Sequence, residues 1–105
     1  MLYSLNAVKL LNLPYEFAEN GDLTVMEGMS HIPFSIARVF VVRGFDGSVR
    51  GEHAHKACTQ FLTCPYGSVE VRCDDGSEVA SFILDKPDVG LLLPPGIWAQ
   101  QTYLI

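Results

Sequence analysis

The residues most able to do chemistry lie together in the middle of the chain, in the string Arg50-Gly51-Glu52-His53-Ala54-His55-Lys56. If this string is a strand, His53 and His55 are two positions apart and therefore point to the same face. Free imidazole titrates close to neutral pH, so a pair of this kind is suited to moving protons. The alternative interpretation is a hydrogen-bonded pair on the surface with no chemical role.

The longer spacing around these histidines fits the first sequence motif of the cupin proteins, at positions Gly47, His53, His55, Gln60 and Gly67. Metal-binding cupins have Glu at the place of Gln60. Residues 90–98 resemble the second motif, and Ala99 stands where a fourth ligand, a His, would be. Two imidazoles and a neutral amide are a poor cage for a divalent ion, because the anionic and fourth ligands are missing. We therefore expect no catalytic metal and no other cofactor.

The elements that must position these residues are short strands. Gly, Pro, Asn and Asp clusters recur along the chain at the spacing of about 8–12 residues that is typical of all-β sandwiches and barrels. This pattern predicts one all-β domain over residues 1–105. The resemblance to the cupin motifs implies that this domain is a cupin-type jelly-roll β-barrel. The predicted strands cover residues 23–27, 36–43, 58–64, 68–73, 78–84, 90–93 and 101–105.

Three local details refine this prediction. Val69, Val71 and Cys73 alternate with polar neighbours, so one face of their strand should be buried. The Asp75-Gly76 pair predicts a hairpin turn after that strand. Residues 4–13 form the one segment whose apolar pattern is compatible with a helix.

Composition limits the classes of function. A chain of 105 residues has room for one domain, and its 49% hydrophobic and 18% charged residues favour a packed core. The net charge of −5 argues against a nucleic-acid binder. A single phosphorylated small molecule needs only two or three well-aimed cations and remains compatible with it. Three cysteines, an odd number, favour reduced thiols that pack as small apolar groups.

The ends of the chain give expectations about location and assembly. The sequence shows no secretory signal and no apolar run of the roughly 20 residues that a membrane span needs, so we expect a cytoplasmic protein. The string Tyr103-Leu104-Ile105 lies within a predicted strand. Either that strand pairs with something outside this chain or the chain is a fragment of a longer barrel. An unpaired apolar edge invites pairing, so we expect a homodimer.

Several strings together resemble the dTDP-4-keto-6-deoxyglucose 3,4-ketoisomerases, also called the WxcM-like group. They are Ile32-Pro33-Phe34-Ser35-Ile36-Ala37-Arg38-Val39, the string from Arg50 to Lys56, Asp74-Asp75-Gly76, Val89-Gly90-Leu91 and Pro95-Gly96-Ile97-Trp98. The resemblance covers residues 21–98. It implies a metal-free cupin, usually dimeric through exchanged N-terminal strands. Such a protein binds a thymidine-diphospho-sugar and moves its ketone from C4 to C3, in the biosynthesis of deoxysugars and cell-surface polysaccharides.

The resemblance also implies roles for individual residues. His53 and His55 would line the active site and transfer protons through an enediol, and we favour His55 as the proton carrier with His53 orienting it. Arg50 would be the third catalytic residue, because a cation stabilises developing enediolate charge.

Four further residues are predicted to bind substrate. Arg38 or Lys56 would pair with the diphosphate, Gln60 is the alternative to Arg50 as the donor to the developing enediolate, and Trp98 would stack on the thymine. Two of these residues have alternatives. Gln60 could belong to the wet face of a strand, and Trp98 could fill the core.

The chain departs from the family pattern at two positions. Phe40 stands where members commonly have Tyr, and Ala99 where they have His after Trp. Members also continue beyond the length of this chain. These departures leave a rival hypothesis, a catalytically degenerate cupin module that binds a sugar nucleotide or mediates assembly without turnover. A third hypothesis is a metal-dependent cupin oxygenase or epimerase.

Overall fold

The computed structural model describes residues 4–104. A short 3-10 turn, Leu5–Ala7, precedes nine strands in this part of the chain. The strands are β1 (Lys9–Asn12), β2 (Tyr15–Ala18), β3 (Gly21–Thr24), β4 (Val49–His53), β5 (Gln60–Thr63), β6 (Ser68–Asp74), β7 (Val79–Leu84), β8 (Val89–Leu93) and β9 (Trp98–Leu104). No helix among residues 4–104 is long and apolar enough to cross a membrane.

All the strand pairs in these residues are antiparallel. A four-stranded sheet has the order β4-β9-β6-β7, a three-stranded sheet has the order β1-β8-β5, and β2 and β3 form a separate hairpin. The prediction of an all-β chain is therefore confirmed.

The core lies between the two larger sheets. Val71 and Cys73 of β6 are fully buried and Val69 nearly so, which confirms the predicted dry face of that strand. Leu91 and Leu93 of β8 contribute from the three-stranded sheet. The other members of the buried cluster are Val8, Leu84, Ile97 and Ala99.

The predicted hairpin after β6 is confirmed, with Asp75 organising its turn. Its carboxylate accepts hydrogen bonds from the backbone N–H groups of Ser77 and Glu78, each at 2.8 Å, and of Leu5 at 2.9 Å. These donors stabilise the anion and lower the pKa of Asp75. The turn thereby also holds the N-terminal 3-10 turn against the barrel.

The helix considered for residues 4–13 is wrong. Only Leu5–Ala7 turn helically, and Lys9–Asn12 pair with β8, followed by a 2.8 Å hydrogen bond from the N–H of Leu13 to the carbonyl of Asp88. A helix of this length is marginal in water, so the sheet hydrogen bonds decide the conformation.

The predicted strand at 36–43 also differs from the structure. The segment pairs with none of the strands in the described part of the chain, and most of its apolar side chains are exposed, Val41 to 82%. Its composition favours β structure, yet a strand exists only where a neighbouring backbone accepts and donates its hydrogen bonds. Strand β9 begins earlier than predicted, at Trp98, and pairs with both β4 and β6, so the described part of the last strand is not the unpaired edge expected from the sequence. The predicted ranges include none of β1, β2 and β4.

Candidate active site

Two histidines and a glutamine form a connected polar cluster. The Nε2 atoms of His53 and His55 are 3.2 Å apart, and the amide nitrogen of Gln60 lies 3.2 Å from the same Nε2 of His55. The two imidazole rings meet edge to face, with centroids 4.8 Å apart. His53 is exposed, whereas His55 and Gln60 are half-buried. The structure therefore brings together three of the residues that the sequence analysis selected.

The backbone places the two rings differently from the i, i+2 expectation. His53 ends β4, while His55 lies in the loop that follows and is held there by the N–H of Gly96, which donates to the His55 carbonyl at 2.8 Å. Gln60 opens β5, in the three-stranded sheet. The cluster therefore joins the two larger sheets. The histidines come from the end of the edge strand β4 and the loop after it, and Gln60 comes from the start of β5.

The backbone carbonyl of Gly51 fixes the orientation of the His53 ring. It lies 2.8 Å from Nδ1, and because a carbonyl can only accept, Nδ1 carries the proton and donates. The tautomer is assigned from these partners. In neutral His53 the proton on Nδ1 leaves Nε2 unprotonated, which is the arrangement of an oriented general base.

The contact between the two rings depends on one further proton. If neutral His53 has its proton on Nδ1, a 3.2 Å contact between the Nε2 atoms is a hydrogen bond only when one proton lies between them. His55 can supply that proton from Nε2, and the Gln60 amide then turns its oxygen toward His55. Alternatively His53 is charged and donates to His55. In both states the pair holds one transferable proton.

The register of the four-stranded sheet adds polar side chains to the same face. Arg50 lies opposite Gln101, and Gln101 lies opposite the buried Val71. Directly opposed residues in antiparallel strands point to the same side, so Arg50 and Gln101 lie on the face of the sheet that carries Val71, although Arg50 itself is exposed. Tyr103 shares this face. Burial raises the pKa of its phenol, and the nearby Arg50 opposes that rise.

Gln101 and Tyr103 were not among the predicted site residues. Ala99, Gln101 and Tyr103 pair in turn with the buried Cys73, Val71 and Val69. The signal in the sequence is that Gln101 and Tyr103 follow Ala99, the position of the fourth cupin ligand, at steps of two residues. It was missed because the predicted strand 101–105 left out Ala99, so its alternation did not show which face carries the site.

Three predicted substrate-binding residues lie outside the His53–His55–Gln60 cluster. Arg38 stacks on Phe40, with its guanidinium carbon 5.3 Å from the ring centroid, in the unpaired segment 36–43. Lys56 is exposed beside His55. Trp98 pairs with Asp74 and alternates with the buried Ala99, so it points away from the interior, into an open hollow also lined by Arg72. The binding roles of these three residues stay predictions.

The described side chains around His53 and His55 do not form a complete set of metal ligands. Ala99 lies directly opposite His53 and offers no ligand, and Gln60 offers only a neutral amide. Within residues 4–104, no three His, Cys, Asp or Glu side chains converge as an ion would require. The absence of a catalytic metal stays a prediction.

Two packed antiparallel sheets, with a histidine pair at the end of an edge strand, define the class as a cupin-type β-barrel. The chain belongs to the family described as FdtA: WxcM-like, C-terminal, whose model matches residues 6–104. The family predicted from the sequence is thereby confirmed.

Among curated proteins, the chain is similar to the TDP-4-oxo-6-deoxy-α-D-glucose-3,4-oxoisomerase of Aneurinibacillus thermoaerophilus. The two sequences are 40% identical over 94 residues, which are 89% of this chain and 68% of that protein.

Solved structures agree in fold. QdtA, a sugar 3,4-ketoisomerase from Thermoanaerobacterium thermosaccharolyticum in complex with TDP, superposes with a TM-score of 0.86 at 34% identity, covering 93% of this chain and 72% of QdtA. The TDP-quinovose 3,4-ketoisomerase WlaRB of Campylobacter jejuni has a TM-score of 0.85 at 30% identity, covering 94% and 77%. The relatives are thus TDP-sugar 3,4-ketoisomerases, and the predicted cupin fold is confirmed.

Proposed function

We propose that this protein is an isomerase that moves the keto group of a TDP-4-keto-6-deoxy-hexose from C4 to C3. The observation that carries the proposal is the 3.2 Å contact between His53 and His55, with the His53 ring oriented by Gly51. The family's relatives supply the substrate class, since one variant of QdtA was solved with TDP-4-keto-6-deoxyglucose bound. We place the reaction in the biosynthesis of deoxysugars for cell-surface polysaccharides.

The chemistry requires one proton carrier between two adjacent carbons. A base takes the proton from C3, the C3–C4 double bond forms, and the C4 oxygen accepts a proton, which gives an enediol. The carrier then returns a proton to C4 while the C3 hydroxyl loses its own and becomes the ketone. Protons and electrons balance without an oxidant, so imidazole acid–base chemistry is sufficient.

The geometry supports His53 as the carrier and His55 as its partner, the reverse of the assignment favoured from the sequence. His53 is exposed, and the Gly51 carbonyl binds its Nδ1–H, so that its Nε2 is the basic atom. His55 is half-buried, and its Nε2 is shared between His53 and Gln60. A carrier must reach the sugar, which favours the more accessible ring.

Arg50 is proposed to stabilise the enediolate, because the register places it on the interior face with Gln101. Arg38 and Lys56 are proposed to pair with the diphosphate, and Gln60 to donate to the sugar. Trp98 as a platform for the thymine has less support, since it points away from the interior.

The metal-free mechanism, the homodimer and the cytoplasmic location are also part of the proposal. A second copy would cover apolar side chains of residues 36–45, among which Val39, Val41 and Phe45 are each more than 75% exposed. This exposure supports an assembly in which the segment is buried.

The decisive experiment is incubation of the protein with TDP-4-keto-6-deoxyglucose, followed by NMR of the sugar ring. We expect the C3 proton signal to disappear as the 3-keto product forms, with deuterium incorporated at C4 in D₂O. Tight binding of TDP-sugar without any turnover would instead support the degenerate binding module. The small apolar Ala99 opposite His53 is the observation that favours this rival.

A further inference from the structure

Strand β4 contains a bulge immediately before His53. Gly51 lies opposite Gln100 of β9, and His53 lies opposite the next residue, Ala99, so Glu52 is an extra residue without a partner in the ladder. A bulge of this kind shifts every following side chain to the other face of its strand.

The shift decides where His53 points. Arg50 faces the interior, and strict alternation from it would place Glu52 inside and His53 outside. The extra residue reverses this order and brings His53 to the interior face with Arg50. Without the bulge, the histidine would lie on the opposite face of the sheet from Arg50 and Gln101.

The bulge has an unusual backbone conformation. Gly51 has φ +84° and Glu52 has φ +60°, so two consecutive residues are left-handed. Glycine adopts this region freely, whereas a glutamate seldom does. Strained residues of this kind are often found at functional sites, where surrounding packing holds them in place.

Gln101 packs on the bulge in a way that only glycine permits. A Cβ at position 51 would overlap the Oε1 atom of Gln101 and would lie 3.0 Å from the carbonyl oxygen of Ala99. The Gln101 amide therefore lies against the bare Cα of Gly51. The carbonyl of that same residue accepts the Nδ1–H of His53 at 2.8 Å. A single glycine thus links the packing of Gln101 to the orientation of the imidazole.

We infer that Gly51 and Gln101 are positioning residues, which hold the bulge so that His53 faces the sugar as the Nδ1–H tautomer. This inference rests on the proposed function, because positioning matters for the rate only if His53 carries the proton. It requires no contact between either residue and the substrate.

The test uses Gly51→Ala, Gln101→Ala, their double variant and Gln101→Met, with Gly47→Ala as the matched control. Gly47 has φ +80° and nothing within 4 Å of its missing Cβ, so its substitution adds left-handed strain without a clash. The first readout is the ¹⁵N NMR pattern of His53 at alkaline pH without substrate. The second is kcat for TDP-4-keto-6-deoxyglucose beside the affinity for TDP, with circular dichroism to check the fold.

We expect Gly51→Ala to lose the ordered Nδ1–H pattern and about 10²-fold in kcat, the effect of a misplacement near 1 Å, while TDP affinity is kept. Gln101→Ala should lose about tenfold. Gln101→Met has a side chain of similar length and, unlike Gln101→Ala, should keep the Nδ1–H tautomer of His53. Gly47→Ala should keep this tautomer as well. The loss in the double variant should be smaller than the product of the single losses, because Gln101→Ala removes the side chain that an alanine at 51 would meet.

Two outcomes overturn the inference: a wild-type tautomer and kcat in Gln101→Ala, or equal losses in Gly47→Ala and Gly51→Ala. If Gly51→Ala does not fold, the Gln101 pair of variants decides alone. Because the tautomer is measured without substrate, a wild type with an ordered Nδ1–H but no turnover contradicts the proposed function and leaves the structural role of the bulge standing.

Discussion

The Nε2 atoms of His53 and His55 are 3.2 Å apart, so a hydrogen bond between them contains one proton that can transfer from one ring to the other. The Gly51 carbonyl fixes one end of the pair and Gln60 contacts the other. A sugar approaching the exposed His53 would therefore meet a ring of defined tautomer. Whether this barrel catalyses isomerisation or only binds a sugar nucleotide depends on proton transfer by these two histidines.

Replacing either histidine by asparagine tests that role. Both variants should fold, since the rings are outside the buried core, and turnover should fall by about 10²–10⁴-fold, the contribution of a positioned acid–base group. His53→Asn should be the more severe. TDP affinity, measured by calorimetry, should change far less. Equal turnover in wild type and His53→Asn would remove the histidine from the mechanism.

The metal content of the protein is a second prediction at this scale. Protein purified without chelator should hold less than about one tenth of an equivalent of transition metal by elemental analysis, because the site lacks an anionic and a fourth ligand. The double variant Gln60→Glu/Ala99→His supplies both ligands and should bind Zn²⁺ or Ni²⁺. A stoichiometric ion in the wild type would contradict the metal-free proposal.

Two of the three thiols should differ in reactivity. Burial raises the pKa of Cys73 to about 11, whereas Cys58 is exposed. The folded state favours neutral Cys73, so this group costs no stability below an ordinary thiol pKa and weakens the fold only as pH rises from about 9 to 11. At pH 8, alkylation followed by mass spectrometry should label Cys58 and spare Cys73 until urea is added. Equal labelling of the two thiols in the folded protein would show that Cys73 is accessible.

Strands β6 and β9 are the two central strands of the four-stranded sheet. Seven residue pairs join them, and β9 also pairs with the edge strand β4 that ends at His53. On β9 the buried Ala99 and the site residue Gln101 are two positions apart and therefore share one face of the sheet. The position of the edge strand β4, which ends at His53, therefore depends on how β9 packs on β6.

Two neighbouring residues of β7 test this packing. Leu84 is fully buried, whereas Ile83, on the opposite face, is 48% exposed. Leu84→Ala should lower the free energy of unfolding by about 2–5 kcal/mol, through lost transfer energy and the cavity left behind. Ile83→Ala should cost less than about 1 kcal/mol. Urea denaturation measures both, and similar losses for the two variants would contradict the assigned faces.

The whole molecule exposes an apolar segment that its own described strands do not cover. Residues 36–45 belong to none of those strands, and Val41 is 82% and Phe45 87% exposed. A surface of this kind marks an interface more often than a free face. The proposed homodimer would bury it.

Sedimentation equilibrium at tens of micromolar tests this assembly. We expect a dimer in the wild type and a monomer in Val41→Lys, because a charge in an apolar interface is costly to bury. Tyr66→Lys is the matched control, since Tyr66 is 88% exposed in the loop between β5 and β6 and should leave the dimer intact. A monomeric wild type would contradict the proposed dimer.

The family, the all-β class, the dry face of β6 and the Asp75 turn could all be predicted from the sequence. These features depend on local patterns and motif spacing, which can be read along the chain. The sequence also selected His53, His55 and Gln60. The motif spacing identified the three residues without describing their geometry.

Several other features follow from contacts between distant parts of the chain and could not be predicted from local patterns. Residues 36–43 have a β pattern but no partner strand in the described chain, and residues 9–12 became a strand because β8 lies beside them. Gln101 joined the site through its register with Arg50. The direction of His53 depends on one extra residue, Glu52, and alternation along the sequence predicts the opposite face. Strand pairing, register and bulges join residues far apart in the chain, so they are decided by packing rather than by local pattern.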